Sequence, residues 1–296
     1  ARFECSGFHD DRFLVDRGDG QIIHISRLLY LVAANLDGQR GEAQVADRVS
    51  AQVRRRLPPE GVRFLVFNRL APLGVLATPG QESGKARRAD PLLALRLRAT
   101  LLPAAWVRLV ARLFTPLFWA PLIAVVLVAL AALDLLLFRG DRLGAALFEV
   151  ALAPINMLSV LGLLLLATLF HEFGHATACR KGGARPGRIG VGLYLVLPAF
   201  YTDVTDSYKV DRRARLRTDL GGVYFNAVAA VVLLVLAEQT GAGVFLLAAF
   251  LVQLEAVQQL LPVVRFDGYY ILADIVGVPD LFGRVRPTLV SFIPGR

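Results

Sequence analysis

The chain is 296 residues long, 55% of them hydrophobic, and its mean hydropathy of +0.54 is too high for a water-soluble protein. Because the apolar residues concentrate after Thr115, the composition predicts a polytopic α-helical membrane protein with a small soluble domain in front. The formal net charge of +9 comes almost wholly from arginines placed between the apolar runs, where they set membrane orientation, and this placement argues against nucleic acid as a partner.

Residues 1–80 predict a small α+β domain of the winged-helix kind. A Gly-Asp-Gly turn joins two apolar runs into a hairpin between Phe13 and Ile25, and helical patterns follow over 26–36, 42–57 and 59–70. The runs Ile25–Gly38 and Val45–Val49 resemble the peptide-recognition domains of ribosomal-peptide modification systems, which implies a peptide partner. A DNA-binding winged helix and a merely structural cap remain alternatives.

Residues 81–114 predict a basic linker followed by an amphipathic helix. The linker is rich in glycine, serine and basic residues and has little to bury. From Leu92 to Leu113, leucines alternate with arginines, as in a helix that lies on an anionic membrane surface. A solvated helix packed on the first domain is the alternative.

Residues 115–283 predict the membrane domain, and residues 284–296 a C-terminal tail. Four apolar runs are near the ~20 residues that a bilayer core requires. They run from about 116 to 138, 151 to 170, 220 to 237 and 244 to 264.

Basic residues are unevenly distributed among the connections between these runs. The segment 180–217 holds nine basic residues, whereas the connections at 139–149 and 238–243 hold only two between them. The positive-inside rule therefore predicts a multi-pass protein of the cell membrane with both termini in the cytoplasm.

A His-Glu-x-x-His motif follows the second apolar run, at residues 171–175. On a helix its two histidines lie one turn apart on the same face, where both imidazoles reach one zinc ion, and the glutamate stands beside them as a base for water. Ionisable side chains at membrane depth are costly and usually functional. The motif predicts one catalytic Zn²⁺, with His171 and His175 as ligands and Glu172 as general base.

A catalytic zinc commonly takes three protein ligands and keeps one position for water. If the fourth apolar run returns to the cytoplasmic side, it brings Asp267 to the same membrane face as the two histidines. Asp267 is the predicted third ligand, because it ends a span and Gly268 behind it permits close backbone approach. Asp203 and Asp206 lie on the same side and remain alternatives, with loop capping as their structural role.

Several motifs together resemble the site-2 protease family of intramembrane zinc metalloproteases, in its peptide zinc metalloprotease branch. They are the His-Glu-x-x-His motif, Gly182-Gly183, residues 198–206, Gly221-Gly222 with Asn226, and residues 266–272. The resemblance covers residues from about 115 to 283. It implies a core of three helices, a zinc held by the two histidines and the aspartate of the Asp-Gly motif, and cytoplasmic access for water.

The chain departs from the family's pattern near two polar residues. It has Gly-Gly-Val where the family often has Ala-Gly-Pro, and Gln258-Gln259 with Pro262 where the family often has Asn-x-x-Pro. Asn226 and Gln259 are the candidates to hold substrate or the transition-state oxygen. Interhelical hydrogen bonding is the alternative role for both.

Residues 189–197 alternate as a strand does, with Gly190 and Gly192 on one face. A strand near the active site is predicted to pair with an extended substrate and hold it open for cleavage. The two glycines are therefore predicted substrate-binding positions.

These observations predict a zinc endopeptidase that hydrolyses a peptide bond in or beside the cytoplasmic membrane face. If the first domain recognises peptides, the substrate is the leader of a ribosomally made peptide. The alternatives are regulated proteolysis of a membrane-anchored signalling protein and a non-catalytic membrane adaptor or export component. The predicted partners are a peptide or membrane-protein substrate and the lipid bilayer.

Overall fold

The computed structural model describes residues 2–3, 12–16, 22–76, 96–137, 140–194, 197–262 and 266–277. The chain divides into two compact units, Ala1–Ala94 and Leu95–Arg296. The predicted Gly-Asp-Gly turn, residues 81–95 of the predicted linker and the predicted tail at 284–296 lie outside the described residues.

The first unit is a small antiparallel sheet followed by three helices. Its elements are β1 (Arg2–Phe3), β2 (Arg12–Asp16), β3 (Ile22–Ser26), α1 (Arg27–Asn35), α2 (Glu42–Val53) and α3 (Pro59–Leu65), which continues as a π-helical turn, Val66–Leu70. Ser26 caps α1 by accepting a hydrogen bond from the Leu29 N–H at 3.4 Å. Val32, Val45 and Val62, one from each helix, are fully buried against one another. The predicted hairpin and three helices are confirmed.

The second unit contains seven α-helices, two short 3-10 helices (Thr115–Phe118 and Thr205–Lys209) and one three-stranded sheet among its described residues. These elements are β4 (Arg96–Leu102), α4 (Ala104–Phe114), α5 (Ala120–Leu137), α6 (Arg142–Leu152), α7 (Pro154–Lys181), β5 (Ile189–Tyr194), β6 (Leu197–Thr202), α8 (Arg212–Thr240), α9 (Gly243–Gln259) and α10 (Asp267–Val276). The sheet is antiparallel in the order β4-β5-β6, so β5 is its middle strand.

Two elements of this unit differ from the sequence prediction. The amphipathic helix begins only at Ala104, because residues 96–102 are strand β4, whose backbone pairs with β5. The predicted connection at 139–149 is largely helix α6, since Ala146 and Val150 are buried in the core shared by α6, α7 and α9. Both elements depend on contacts with distant parts of the chain.

The predicted count of four membrane spans is not confirmed. Two helices, Pro154–Lys181 and Arg212–Thr240, are long and apolar enough to cross a bilayer, and a third span is possible if the bent pair on either side of Trp119 counts as one. That pair bends by 77°, and α9 has 17 residues. At 1.5 Å per residue α9 is about 26 Å long, just short of a ~30 Å hydrocarbon core.

The outer half of α7 presents large apolar side chains to its surroundings. Four leucines there are between 52% and 65% exposed: Leu158, Leu161, Leu165 and Leu166. Before His171 only Val160 and Ala167 of this helix are buried, whereas nearly every residue from His171 to Cys179 is buried. An apolar surface of this extent suits lipid better than water.

Helices α7 and α8 approach closely because glycines face each other at their crossing. A Cβ on Gly221 would lie 2.5 Å from the Gly174 carbonyl oxygen and 2.7 Å from the Ala178 Cβ. Such distances exclude any side chain, and small residues at a crossing are how membrane helices bring their backbones together. This contact sets the distance between the His-Glu-x-x-His helix and the helix that packs over it.

Candidate metal centre

Helix α7 places the three motif side chains in the interior of the second unit. His171 is 2% exposed, Glu172 8% and His175 9%. The two histidines follow each other by one helical turn, and their ring centroids lie 4.7 Å apart. Burial of three titratable groups at the end of an apolar helix costs free energy, and groups buried in this way are usually functional.

Asp267, the first residue of α10, completes a cluster with the two histidines. His171 Nε2 lies 3.0 Å from His175 Nε2, and Asp267 Oδ2 lies 3.2 Å and 3.3 Å from these two nitrogens. Among the described residues this is the group of side chains whose ligand atoms converge for a metal ion.

The spacing of these three atoms fits zinc. Bonds of about 2.0–2.1 Å at tetrahedral angles place neighbouring ligand atoms about 3.3 Å apart. Asp267 Oδ2 is buried and has no hydrogen-bond partner, so an acceptor is held inside the protein without a donor in hydrogen-bonding geometry. Two imidazoles and one carboxylate are ligands that zinc accepts.

His175 is oriented by the backbone of α8. Its Nδ1 lies 2.8 Å from the Thr218 carbonyl oxygen, so Nδ1 carries the proton and donates it, which leaves the Nε2 lone pair for a metal. His171 Nδ1 is buried and has no hydrogen-bond partner. The tautomer of His175 is thus fixed by a specific contact.

Glu172 is held by the last residue of strand β6. Thr202 Oγ1 donates to Glu172 Oε2 at 2.6 Å and lies 3.0 Å from the Glu172 carbonyl oxygen. This contact ties the sheet to the motif helix. It also occupies one carboxylate oxygen and leaves the other available for proton transfer.

Gly222 of α8 forms one wall of the cluster. A Cβ at this position would lie 2.5 Å from His171 Nε2 and from His175 Nε2. Any side chain here would occupy the space of the two ligand nitrogens. The glycine is therefore required by the centre itself, in addition to the crossing of the two helices.

Helix α8 also anchors α10, which carries Asp267. Arg215 is 5% exposed, and its Nε donates to both oxygens of Asp274 at 3.1 Å, while its guanidinium also donates to the Val210 carbonyl at 3.1 Å. Arg212 donates to the Ile275 carbonyl. A second residue of the α10 start also packs tightly, since a Cβ on Gly268 would overlap the Leu260 carbonyl, which confirms the predicted close approach.

The histidines change the acidity of Asp267. Burial raises the pKa of its carboxyl, but attraction to the adjacent His175 and His171 rings when these are protonated more than offsets burial, so the pKa lies below its ordinary value. Asp267 therefore stays ionised at neutral pH and supplies a negative ligand.

Asp203 and Asp206 do not join the cluster. Asp203 Oδ1 accepts hydrogen bonds from the Thr205 N–H at 3.2 Å and hydroxyl at 2.6 Å. Asp206 accepts from the Arg185 N–H and pairs with Lys209, both at 2.8 Å. Both aspartates organise the loop after β6, which was their alternative structural role.

The predicted substrate-binding residues lie in different places. Asn226 follows Gly222 by one turn of α8, is 1% exposed and has neither amide atom hydrogen-bonded. Gln259 is the last residue of α9 and half-buried, and among the described residues its side chain makes no hydrogen bond to the cluster.

The two strand glycines, Gly190 and Gly192, lie in the predicted strand, which is confirmed over Ile189–Tyr194 as β5, whereas its predicted last residue, Leu197, begins β6. Because β5 is bonded to β4 on one side and β6 on the other, its own edges are not open to a substrate. Gly190 has a packing reason to be glycine, since a Cβ would lie 2.5 Å from the Ala99 carbonyl oxygen and from the Tyr201 ring.

Sequence reasoning missed Thr202, Thr218 and Arg215. Residues 198–206 form one of the family motifs, but residue type singles out only its aspartates as functional side chains. Thr218 acts through its carbonyl, which no residue type reveals. In the sequence Arg215 is one of many basic residues, and only its burial distinguishes it from the other arginines.

Comparison with known proteins supports a relationship to zinc metalloproteases. The chain is 26% identical over 120 residues to "Putative peptide zinc metalloprotease protein YydH" of Bacillus subtilis (strain 168), a match that covers 40% of this chain and 47% of that protein. The chain thus spans about half the length of the curated relative it matches. No family model matches the chain. No solved structure matches it.

Proposed function

We propose that this chain is a membrane-embedded zinc peptidase of the site-2 protease type, which hydrolyses a peptide bond in or beside the cytoplasmic membrane face. The observation that carries the proposal is the convergence of His171, His175 and Asp267 within 3.0–3.3 Å, beside the buried carboxylate of Glu172. The similarity to a protein named as a peptide zinc metalloprotease supports the same reaction class.

The three candidate ligands and Glu172 have different roles in this proposal. His171, His175 and Asp267 hold the zinc, which when bound polarises the scissile carbonyl and acidifies water. Glu172 takes a proton from the attacking water and returns it to the leaving amine. Since Thr202 occupies Glu172 Oε2, Oε1 is the oxygen that receives the proton.

Membrane orientation follows from charge. The nine basic residues between 180 and 217 flank the inner end of α7 and the start of α8, which suits the cytoplasmic side of the membrane. The active site then opens to cytoplasmic water, and the termini lie on the same side.

The substrate is a peptide that reaches the site in an extended form. Pairing with an outer strand of the sheet is available at β6, whose last residue holds Glu172, and not at the middle strand β5. The first unit is a hairpin with three helices, and in this proposal it recruits the leader segment of a ribosomally made peptide.

A non-catalytic adaptor is the second candidate. An adaptor would have no use for Glu172, which is buried, fixed by Thr202 and next to the ligand cluster. Regulated proteolysis of a membrane-anchored protein would use the same chemistry on another substrate.

The test compares the wild-type chain with Glu172→Gln during co-expression with candidate precursor peptides, with metal analysis of both purified proteins. We expect both to hold zinc and only the wild type to cleave. Zinc in both without cleavage of any precursor would favour the adaptor, and absence of zinc from the wild type would overturn the site.

A further inference from the structure

A groove of about 680 Å³ runs along α8 between α5 and α9. Its walls are mainly apolar, with Leu127 from α5, Leu220 and Val223 from α8, and Val257 from α9. This volume is within the usual range of ligand sites.

Two buried amides in the groove have unused hydrogen-bonding groups. Asn226 is 1% exposed, and both its Oδ1 and its Nδ2 have no partner, while Gln253 Nε2 is buried and also has none. An amide with a free donor and a free acceptor is complementary to a peptide group, which offers one of each. A lipid acyl chain offers neither.

One end of the groove is cationic. Lys181 at the end of α7 and Arg213 and Arg217, one turn apart near the start of α8, line it, and no acidic side chain does. Among the described residues none of the three makes an ion pair, and all three are exposed. This end attracts a negatively charged group and repels a positive one.

The groove approaches the candidate metal centre along α8, although none of the three ligand residues lines it. Asn226, which does line it, lies one turn beyond Gly222, where a Cβ would lie 2.5 Å from both ligand nitrogens. The distance along α8 from Arg213 to Asn226 is about 20 Å at 1.5 Å per residue, the length of about six extended residues at 3.3 Å each.

We propose that this groove is the substrate channel of the peptidase and selects peptides in which acidic residues flank an apolar segment of about six residues, a length set by the helix rise and the strand rise. The acidic residues bind Lys181, Arg213 and Arg217, the apolar side chains fill the groove, and the backbone bonds to Asn226 and Gln253. The inference rests on the proposed peptidase function and adds the substrate class.

The experiment measures binding separately from cleavage. The full chain carrying Glu172→Gln, in detergent, is titrated into two fluorescein-labelled peptides with the same leucine-alanine segment, one preceded by three aspartates and the other by three lysines. We expect fluorescence anisotropy to show binding of the aspartate peptide that is about tenfold tighter or more, because like charges at the mouth are repelled. Arg213→Glu with Arg217→Glu should reverse the preference.

Arg180→Glu is the matched control, because Arg180 is exposed beside Lys181 and does not line the groove. It should leave the preference unchanged. Equal affinity for the two peptides, binding of neither, or the same change in Arg180→Glu as in the double variant would each overturn the proposal. A further result would also overturn the proposal: phosphatidylglycerol is retained through Arg213 and Arg217 in mixed-lipid nanodiscs, and the two peptides bind equally. That result would identify the groove as a lipid site.

Failure of the groove and failure of the peptidase are distinguishable. A wild-type chain that cleaves precursors but shows no charge preference rejects the channel alone. Selective binding of the aspartate peptide by a chain that never cleaves supports a peptide-binding groove and rejects the hydrolytic role.

Discussion

At the residue scale, two side chains of the metal centre each depend on one other group for their position. His175 depends on the Thr218 carbonyl, and Glu172 on the Thr202 hydroxyl. Such partners fix the tautomer or rotamer of the group they bond, and their loss typically costs 10–100-fold in metal affinity or activity, a range of about 1.4–2.7 kcal/mol. The role of Glu172 as base and the role of the metal ligands can therefore be tested by separate experiments.

Thr202→Val is expected to lower kcat by about 10–100-fold and leave zinc content unchanged, because it removes the hydroxyl that fixes Glu172 and touches no ligand. Cleavage rate and metal content are measured on the same preparation. Ser159→Ala is the control, since that hydroxyl bonds only to the Ile155 carbonyl of its own helix. Loss of zinc in the valine variant would show that Thr202 supports the ligands instead.

Zinc affinity is expected to fall as pH falls from 7.5 to 5. The pKa of Asp267 is lowered, so its carboxylate stays ionised, and the affinity falls because protons compete with the metal for the Nε2 lone pairs of both imidazoles. With two protons competing, affinity should fall by up to about 100-fold per pH unit in the acid limb. A zinc-chelator competition series measures this, and an affinity that stays flat across the range contradicts ligation by both histidines.

At the scale of elements, the centre is assembled by helix α8, which contacts both the motif helix and α10. Its glycines set the approach to α7, and its arginines hold α10. Helix α8 therefore determines the positions of both α7 and α10, which come from different parts of the chain. Two substitutions on α8 test these functions independently.

Gly222→Ala is expected to abolish zinc binding, because its Cβ would lie 2.5 Å from both ligand nitrogens. Gly162→Ala on α7 is the control, since a Cβ there meets nothing within 4 Å. Metal content and Tm are measured for both variants. A Gly222→Ala protein that binds zinc with wild-type affinity would contradict the packing of α8 on the imidazoles.

Arg215→Met is expected to lower the free energy of unfolding by about 3 kcal/mol, since removal of one partner leaves Asp274 without its ion pair in a largely buried setting. It should also weaken zinc binding, because α10 carries Asp267. Arg142→Ala provides the comparison: its ion pair with Glu238 is 37% exposed on each side and should contribute about 0–1 kcal/mol. If both substitutions had the same effect on zinc affinity, the anchoring of α10 by Arg215 would not contribute to metal binding.

At the scale of the whole molecule, features with a local sequence signal were predictable and features made by distant pairing were not. The helical period of the sequence predicted helix α7 and the face that His171 and His175 share. The expected membrane topology predicted that Asp267 would lie near them, as it does. Strand β4 and the Thr202 contact were missed, because both exist only after β4, β5 and β6 pair. The predicted count of four spans is not confirmed, because hydropathy does not register the bend at Trp119 or the short length of α9.

Zinc stoichiometry of the purified full chain and its Asp267→Ala variant, together with X-ray absorption at the zinc edge, tests whether the metal centre exists. We expect about one zinc per wild-type chain, bound by nitrogen and oxygen at roughly 2.0–2.2 Å without sulfur, and much weaker binding in the variant. A wild-type chain free of zinc after zinc-supplemented expression, or a variant with unchanged affinity and spectrum, would contradict a centre formed by His171, His175 and Asp267.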